Sequence, residues 1–264
     1  MQPLIDARRA DPAGHDDFLG EFVNARMKDG RPLSDDDVVS LVTAMVFAGH
    51  ETTAGQATWT LVHLMRHPEY HARLRAEVDA VLPTGTEIDA ATLATLSHAH
   101  WAVAETSRLC PSVSMMFRQA NQDMLVGGYR IPEGWVVLTS PPVAQRLPEI
   151  FPEPDRYDPY RFSPGRDEDH AHRFSIISFG GAIHKCTGIN FANWEMAIIA
   201  ALWTRTLDLE LVTQSTVVVD DLGASRPSPT VVRYRRRRDV PGQNSAHGAK
   251  TSGGCPFHGG RSVV

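Results

Sequence analysis

The sequence predicts a mainly α-helical fold carrying a small antiparallel β-sheet. Two observations lead there. Apolar residues recur at helical spacing through Val38, Leu41, Val42, Met45 and Val46, and nothing breaks that pattern until Pro68. Further along, apolar stretches flank Gly127-Gly128 and Pro132-Glu133-Gly134, which is the turn chemistry of antiparallel strands.

Taken in order, the chain opens with a helix near 15–28, begun by Asp16-Asp17 ahead of Phe18-Leu19 and stopped near Gly30. A long helix follows at 35–67. Ser34 and Asp37 form its capping box, and Asp35-Asp36-Asp37 suit the positive end of the helix dipole. At about 1.5 Å per residue it runs about 50 Å, enough to cross a domain. Helices at 68–82, 88–96 and 97–109 come next, then strands at 113–119, 122–127 and 134–139. An irregular meander reaches Phe179, and a helix at 190–206 with strands near 208–212 and 230–235 completes one folded domain, residues 1–238. The remainder, 239–264, turns to Gly, Ser, His and Pro without periodicity and reads as a disordered tail. Cys255-Pro256-Phe257-His258 within it reads as idle chain rather than a second haem or metal contact, because no partnering ligand spacing surrounds it.

At 264 residues, 42% hydrophobic and net charge −5, the chain can bury one sizeable core. The mild acidity argues against nucleic acid as a partner, and Arg233, Arg235, Arg236, Arg237 and Arg238 read as a solvated chain end. With no apolar segment ahead of the capping box, neither a signal peptide nor a membrane anchor is expected. Three cysteines, Cys110, Cys186 and Cys255, are too scattered for a disulfide framework and suit a reducing cytoplasm.

The most informative stretch is Phe179-Gly180-Gly181-Ala182-Ile183-His184-Lys185-Cys186-Thr187-Gly188. It presents one cysteine, flanked by glycines and a cation, at a helix start, where backbone N–H groups and the helix dipole stabilise an anionic sulfur. Taken alone, Cys186 reads equally well as a buried, inert thiol. Two further segments decide between the readings. Ala48-Gly49-His50-Glu51-Thr52-Thr53 interrupts the long apolar helix with a glycine that weakens it by about 1 kcal/mol, and with polar groups that need partners when buried. Glu105 and Arg108 form an i,i+3 pair, and Pro159-Tyr160-Arg161-Phe162 lies between it and the cysteine run.

Together these segments resemble the cytochrome P450 family. Phe179, His184, Cys186 and Gly188 match its haem-binding loop, with Ala182 where the family has Gly. The hexapeptide resembles its oxygen-activation motif, in which an acid and an alcohol deliver protons, here Glu51 and Thr52. Its buried Glu–Arg–Arg triad would be Glu105, Arg108 and Arg161, with Tyr160 in a usually acidic slot. The segments 117–134 and 151–157 are similar to the sterol 14α-demethylase-like bacterial branch in particular, although sterol demethylases usually carry His where this chain has Glu51.

The resemblance implies haem b with iron axially ligated by Cys186, propionate contacts from His184 and Arg118, and Phe179 packed beside the sulfur. It implies a monooxygenase that inserts one oxygen atom from O2 into a lipophilic organic substrate. The substrate wall would come from Val46, Phe47 and Ala48 and from residues 113–116 and 223–228. The chain has neither a dinucleotide fingerprint nor a cysteine cluster, so electrons would come from a ferredoxin or flavodoxin with its NAD(P)H-dependent reductase, docking near Lys185. Family members usually place some 200 residues ahead of the long helix, so this chain corresponds to the C-terminal portion of the fold with the N-terminal half absent: a fragment, a split half or a truncated product. The alternative function is a non-catalytic remnant that binds haem weakly or not at all.

Overall fold

The structure, a computed structural model, describes residues 1–83, 86, 88–221 and 224–237, together with the strand backbone at 262–263. Gly223, Arg238, Cys255 and all but two residues of the 239–264 tail lie outside that description. The chain forms two compact units, Met1–Glu51 and Thr52–Val264.

The first unit holds α1 (Gln2–Ala10), α2 (Phe18–Asn24) and the beginning of α3 (Asp35–Arg66). The sequence gives no periodic signal for α1, which has Leu4 and Ile5 as its only large apolar residues besides Met1 at its cap. It is held by one buried side chain, Ile5, and by ion pairs: Arg8 pairs with Asp17, and Arg9 reaches Asp35 at 2.6 Å. Asp17 also caps α2 by accepting the Gly20 amide at 2.8 Å. That helix ends earlier than predicted, because the Met27 amide bonds the Arg31 carbonyl around Gly30, whose φ of +84° suits glycine. Ile5, Val23, Leu33 and Val38 form the small core. The capping box of α3 is reciprocal, with Ser34 N donating to Asp37 Oδ2 at 3.0 Å and Asp37 N to Ser34 Oγ at 3.1 Å.

In the second unit, the rest of α3 packs with α4 (Pro68–Val81), α5 (Ala90–Ala94), α6 (Ser97–Leu109) and α8 (Ile189–Thr206). Leu61, Leu64, Leu74, Val78, Val103 and Ala200 are among the side chains of this core. Among the described residues there are four small antiparallel sheets rather than one. β1 (Met116–Gln119) pairs with β4 (Val136–Thr139), and β2 (Met124–Val126) with β3 (Tyr129–Ile131) across the Gly127-Gly128 turn. The short helix α7 (Pro141–Ala144) leads into the meander. β5 (Leu207–Leu211) pairs with β8 (Val231–Arg236), and β8 with β9 (Ser262–Val263). The hairpin of β6 (Val218–Asp221) and β7 (Ala224–Pro227) is absent from the sequence reading, since Asp, Ser and Pro are poor strand formers.

The arginine run is not simply a solvated end. Arg233 bonds Glu210 and Arg235 bonds Asp208 across the β5–β8 pair, while Arg237 is buried against Asp79 at 2.9 Å. Cross-strand pairing with acids on β5, and for Arg237 the Asp79 carboxylate on α4, explain the difference. No helix among the described residues is long and apolar enough to cross a membrane.

Candidate functional site

The loop before α8 is built by backbone geometry. Cys186 N donates to the Phe179 carbonyl at 2.7 Å, and Gly180 N to the Ile177 carbonyl at 2.9 Å. Gly180 adopts φ +72°, and a Cβ there would stand 2.5 Å from the His184 carbonyl oxygen, so glycine is required twice over. Ala182, where the resembling loop has Gly, adopts φ +51° and is therefore strained. Gly188 begins α8 without a side-chain cap, and its Cβ position lies 3.9 Å from the Cys186 sulfur. Phe179 packs against the helical core while its carbonyl holds the cysteine amide.

The two described cysteines differ sharply. Cys186 is exposed. Cys110 lies 3.6 Å from His63 Nε2, and burial pushes its thiol up to about 11, so it stays protonated and inert. His63 is itself neutral, its burial lowering it to about 3, and it stacks on Tyr157 with ring centroids 4.6 Å apart.

Glu105, Arg108 and Arg161 meet in full burial, each at most 1% exposed. Arg108 grips Glu105 bidentately, with Nε to Oε2 at 2.7 Å and Nη2 to Oε1 at 2.9 Å, and stacks over the Phe151 ring. Arg161 Nε stands 3.5 Å from Glu105 Oε1, and its outer nitrogens bond Glu168 Oε2 and the Glu153 carbonyl, each at 2.8 Å. The Asp158 amide adds a further donor to Glu105 Oε1 at 2.8 Å. Glu168 and Asp158 carry no sequence signal for this role. Tyr160 turns instead toward the rings of Tyr70 and Trp101.

The polar group in α3 is more open than its apolar flanks suggest. The helix is continuous, and Gly49, His50 and Glu51 are exposed, as are Leu41, Met45, Val46 and Phe47 in the same unit. The Glu51 carboxylate lies 3.2 Å from His50 Nδ1. In the second unit, the Thr52 carbonyl accepts from Ser112 Oγ at 2.9 Å, and Gln56, buried, bonds Ser112 and Ser107. Gly55 lets the β7 backbone approach, since a Cβ there would meet the Ser225 carbonyl oxygen at 2.9 Å. Arg118 on β1 and His184 are each exposed on their own segments, and Arg118 Nη1 donates to the Phe117 carbonyl at 2.7 Å.

An exposed sulfur thus stands on a glycine-shaped loop ahead of α8, and a buried Glu–Arg–Arg cluster lies in the same unit. Residues 2–231 match the family described as Cytochrome P450, and the chain belongs to that family. It is 32% identical over 244 residues to a sterol 14α-demethylase of Mycolicibacterium vanbaalenii, covering 90% of this chain and 54% of that protein. It is 37% identical over 248 residues to a sterol 14-demethylase of Arabidopsis thaliana, covering 89% and 50%. Among solved structures, the haem domain of cytochrome P450DA superposes with a TM-score of 0.82 at 30% identity, covering 89% of this chain and 53% of that one. The retinoic acid-bound cyanobacterial CYP120A1 gives 0.80 at 28%, covering 89% and 54%. The chain thus spans about half the length of the curated relatives it matches.

Proposed function

We propose that this chain carries the iron-ligating side of a haem-thiolate monooxygenase that inserts one oxygen atom from O2 into a lipophilic organic substrate. The carrying observation is the contrast between Cys186, exposed on the loop before α8, and Cys110, held as a buried thiol. No group of three or more His, Cys, Asp or Glu among the described residues could hold a metal ion. The cofactor proposed for Cys186 is haem b, as membership of the cytochrome P450 family implies. The donor set fits haem: one accessible sulfur, with Phe117, Phe174 and Ile183 exposing apolar surface in the same unit.

Bound haem would supply the iron centre at which O2 is reduced and split. Cys186 Sγ would hold the iron, its backbone fixed by the Phe179 carbonyl. Gly188 leaves room beside the sulfur, and Arg118 and His184 would pair with propionates as charge-assisted contacts. Thr52 Oγ1 and the Glu51 carboxylate would hold and pass protons, a task that typically contributes about 10²–10⁴-fold. Glu105, Arg108 and Arg161 would keep the loop's support rigid. Electrons would come from a ferredoxin or flavodoxin with its reductase, meeting the exposed Lys185 face. The relatives' names point to sterols, whereas Glu51 stands where such enzymes usually carry His, so the substrate class proposed is lipophilic rather than sterol.

The test is the carbon monoxide adduct of the reduced, haem-loaded chain. A thiolate-type Soret band is expected, lost in Cys186→Ser and kept in Cys110→Ser and Cys255→Ser. A band that survives Cys186→Ser refutes the ligand assignment. A wild-type chain that takes up no haem points to the remnant reading instead.

A further inference from the structure

We propose that Gln145 is the positioning residue that holds the Cys186 loop against the end of α6. Its relevance to iron rests on the reading of Cys186 as the thiolate ligand. Gln145 follows α7 and is fully buried. A glutamine amide offers two donors and two acceptor sites, and here both donors and one acceptor site bond the backbone, with the Ser178 hydroxyl shared between the other acceptor site and the Ser107 carbonyl. Nε2 donates to the carbonyls of Ser107 at 3.2 Å and Arg108 at 2.9 Å. Those carbonyls lie in the last turn of α6, where no helical amide remains to bond them. Oε1 accepts the Ile177 amide at 2.8 Å and lies 2.8 Å from Ser178 Oγ, which also stands 2.6 Å from the Ser107 carbonyl.

One residue further on is Phe179, whose carbonyl holds the Cys186 amide. A single side chain therefore ties the helix of Glu105 and Arg108 to the start of the cysteine loop. The tie is reinforced through the backbone, because the Gln145 carbonyl accepts Arg108 Nη1 at 2.9 Å. The segment between Ser175 and α8 contains only one 3-10 turn, Ala182–His184, and no strand, so local geometry alone fixes it weakly. An apolar side chain of the same length would fill the volume but strand the Arg108 carbonyl and the Ile177 amide, while Ser178 Oγ and the Ser107 carbonyl keep each other.

The experiment compares Gln145→Met with Leu74→Ala, a cavity variant at a fully buried position of α4 that leaves every hydrogen bond of the loop in place. In the haem-free chain, amide hydrogen exchange at Ile177 and Cys186 should accelerate at least tenfold in Gln145→Met relative to Leu74→Ala at matched stability. In the haem-loaded chain, the thiolate-type fraction of the carbon monoxide adduct should fall in Gln145→Met and hold in Leu74→Ala. If Gln145→Met does not fold, Ser178→Ala, which removes one partner only, should show the same exchange pattern more weakly. Equal exchange in the two variants at both amides overturns the proposal. Faster exchange in a chain whose wild type never shows a thiolate-type band keeps the tie and overturns the ligand reading alone.

Discussion

The amide of Cys186 donates to the carbonyl of Phe179 across 2.7 Å, and this bond closes the loop that presents the sulfur. Closure draws two residues inside it into the left-handed region: Gly180 at φ +72° and Ala182 at φ +51°. Only the first is a residue that adopts such a φ without strain.

Replacing the second should therefore help. Left-handed strain on alanine costs about 1–2 kcal/mol, and the extra unfolded-state freedom of glycine offsets about 0.5–1 of that. Ala182→Gly should stabilise the chain by about 0.5–1 kcal/mol and raise haem retention. Gly180→Ala should destabilise it by more than about 2 kcal/mol, because strain adds to a contact of 2.5 Å with the His184 carbonyl oxygen. Urea midpoints measure both, and the same sign for the two variants would contradict this account.

Removing Glu105 leaves Arg108 as a buried charge without its carboxylate. Glu105→Ala should cost about 3–5 kcal/mol. Arg161 retains Glu168 as a counter-ion at 2.8 Å and should tolerate the loss better than Arg108 does. The double variant Glu105→Leu/Arg108→Met should lose clearly less than the sum of the two single losses. Simple additivity in a double-mutant cycle would show that the pair is not coupled.

These cases show what a sequence reveals. Glu105, Arg108 and Arg161 were legible only through the family resemblance, because an i,i+3 charge pair is common by itself and gains meaning from its order with the Pro-x-Arg-Phe segment and the cysteine run. The long helix was legible from its periodicity and its cap. Gln145 was not, because it bonds the backbone at Ser107, Arg108 and Ile177, and backbone acceptors and donors carry no side-chain identity. Helix α1 was missed because a single buried residue, Ile5, and ion pairs hold it, with no apolar stripe to give a period. The exposure of Glu51 depends on what packs over α3, which local sequence does not encode.

Thr52→Ala should leave the thiolate-type adduct intact. In any preparation that turns over substrate, the proton-delivery role proposed for Thr52 predicts that electrons are diverted to hydrogen peroxide, because only its hydroxyl is lost. Product formed per electron consumed is the measure, and an unchanged ratio would remove Thr52 from proton delivery.

Two glycines of α3 should respond in opposite directions. At Gly49 nothing lies within 4 Å of an added Cβ, so Gly49→Ala should stabilise the helix by about 1 kcal/mol. At Gly55 the same methyl meets the Ser225 carbonyl oxygen at 2.9 Å, a backbone atom that cannot turn aside. Overpacking of about 1–3 kcal/mol should outweigh the gain in helix propensity. The Ser225 amide, bonded to the Ser112 carbonyl at 2.7 Å, should then exchange faster. Unaltered exchange there would mean that the hairpin yields without cost.

Acid should weaken the second unit well before its carboxylates are titrated. Burial lowers His63 from 6.5 to about 3 and His71 from 6.5 to about 4, so both are neutral in the folded chain. Below pH 6.5 the unfolded chain takes up these protons first, and stability falls as pH falls until the folded values are reached. Each histidine contributes a slope of about 1.4 kcal/mol per pH unit, so the pair contributes about 3 kcal/mol per unit between pH 6 and pH 4. Melting temperature should therefore drop steeply from pH 7 to pH 5. His71→Gln should flatten the dependence, since its ring faces Thr204 Oγ1 at 3.2 Å and an amide can keep that bond. His63→Gln should flatten it as well, at some cost in stacking on Tyr157. A wild-type melting temperature that stays level from pH 7 to pH 5 would show that both rings are already charged, or are solvated, in the folded state.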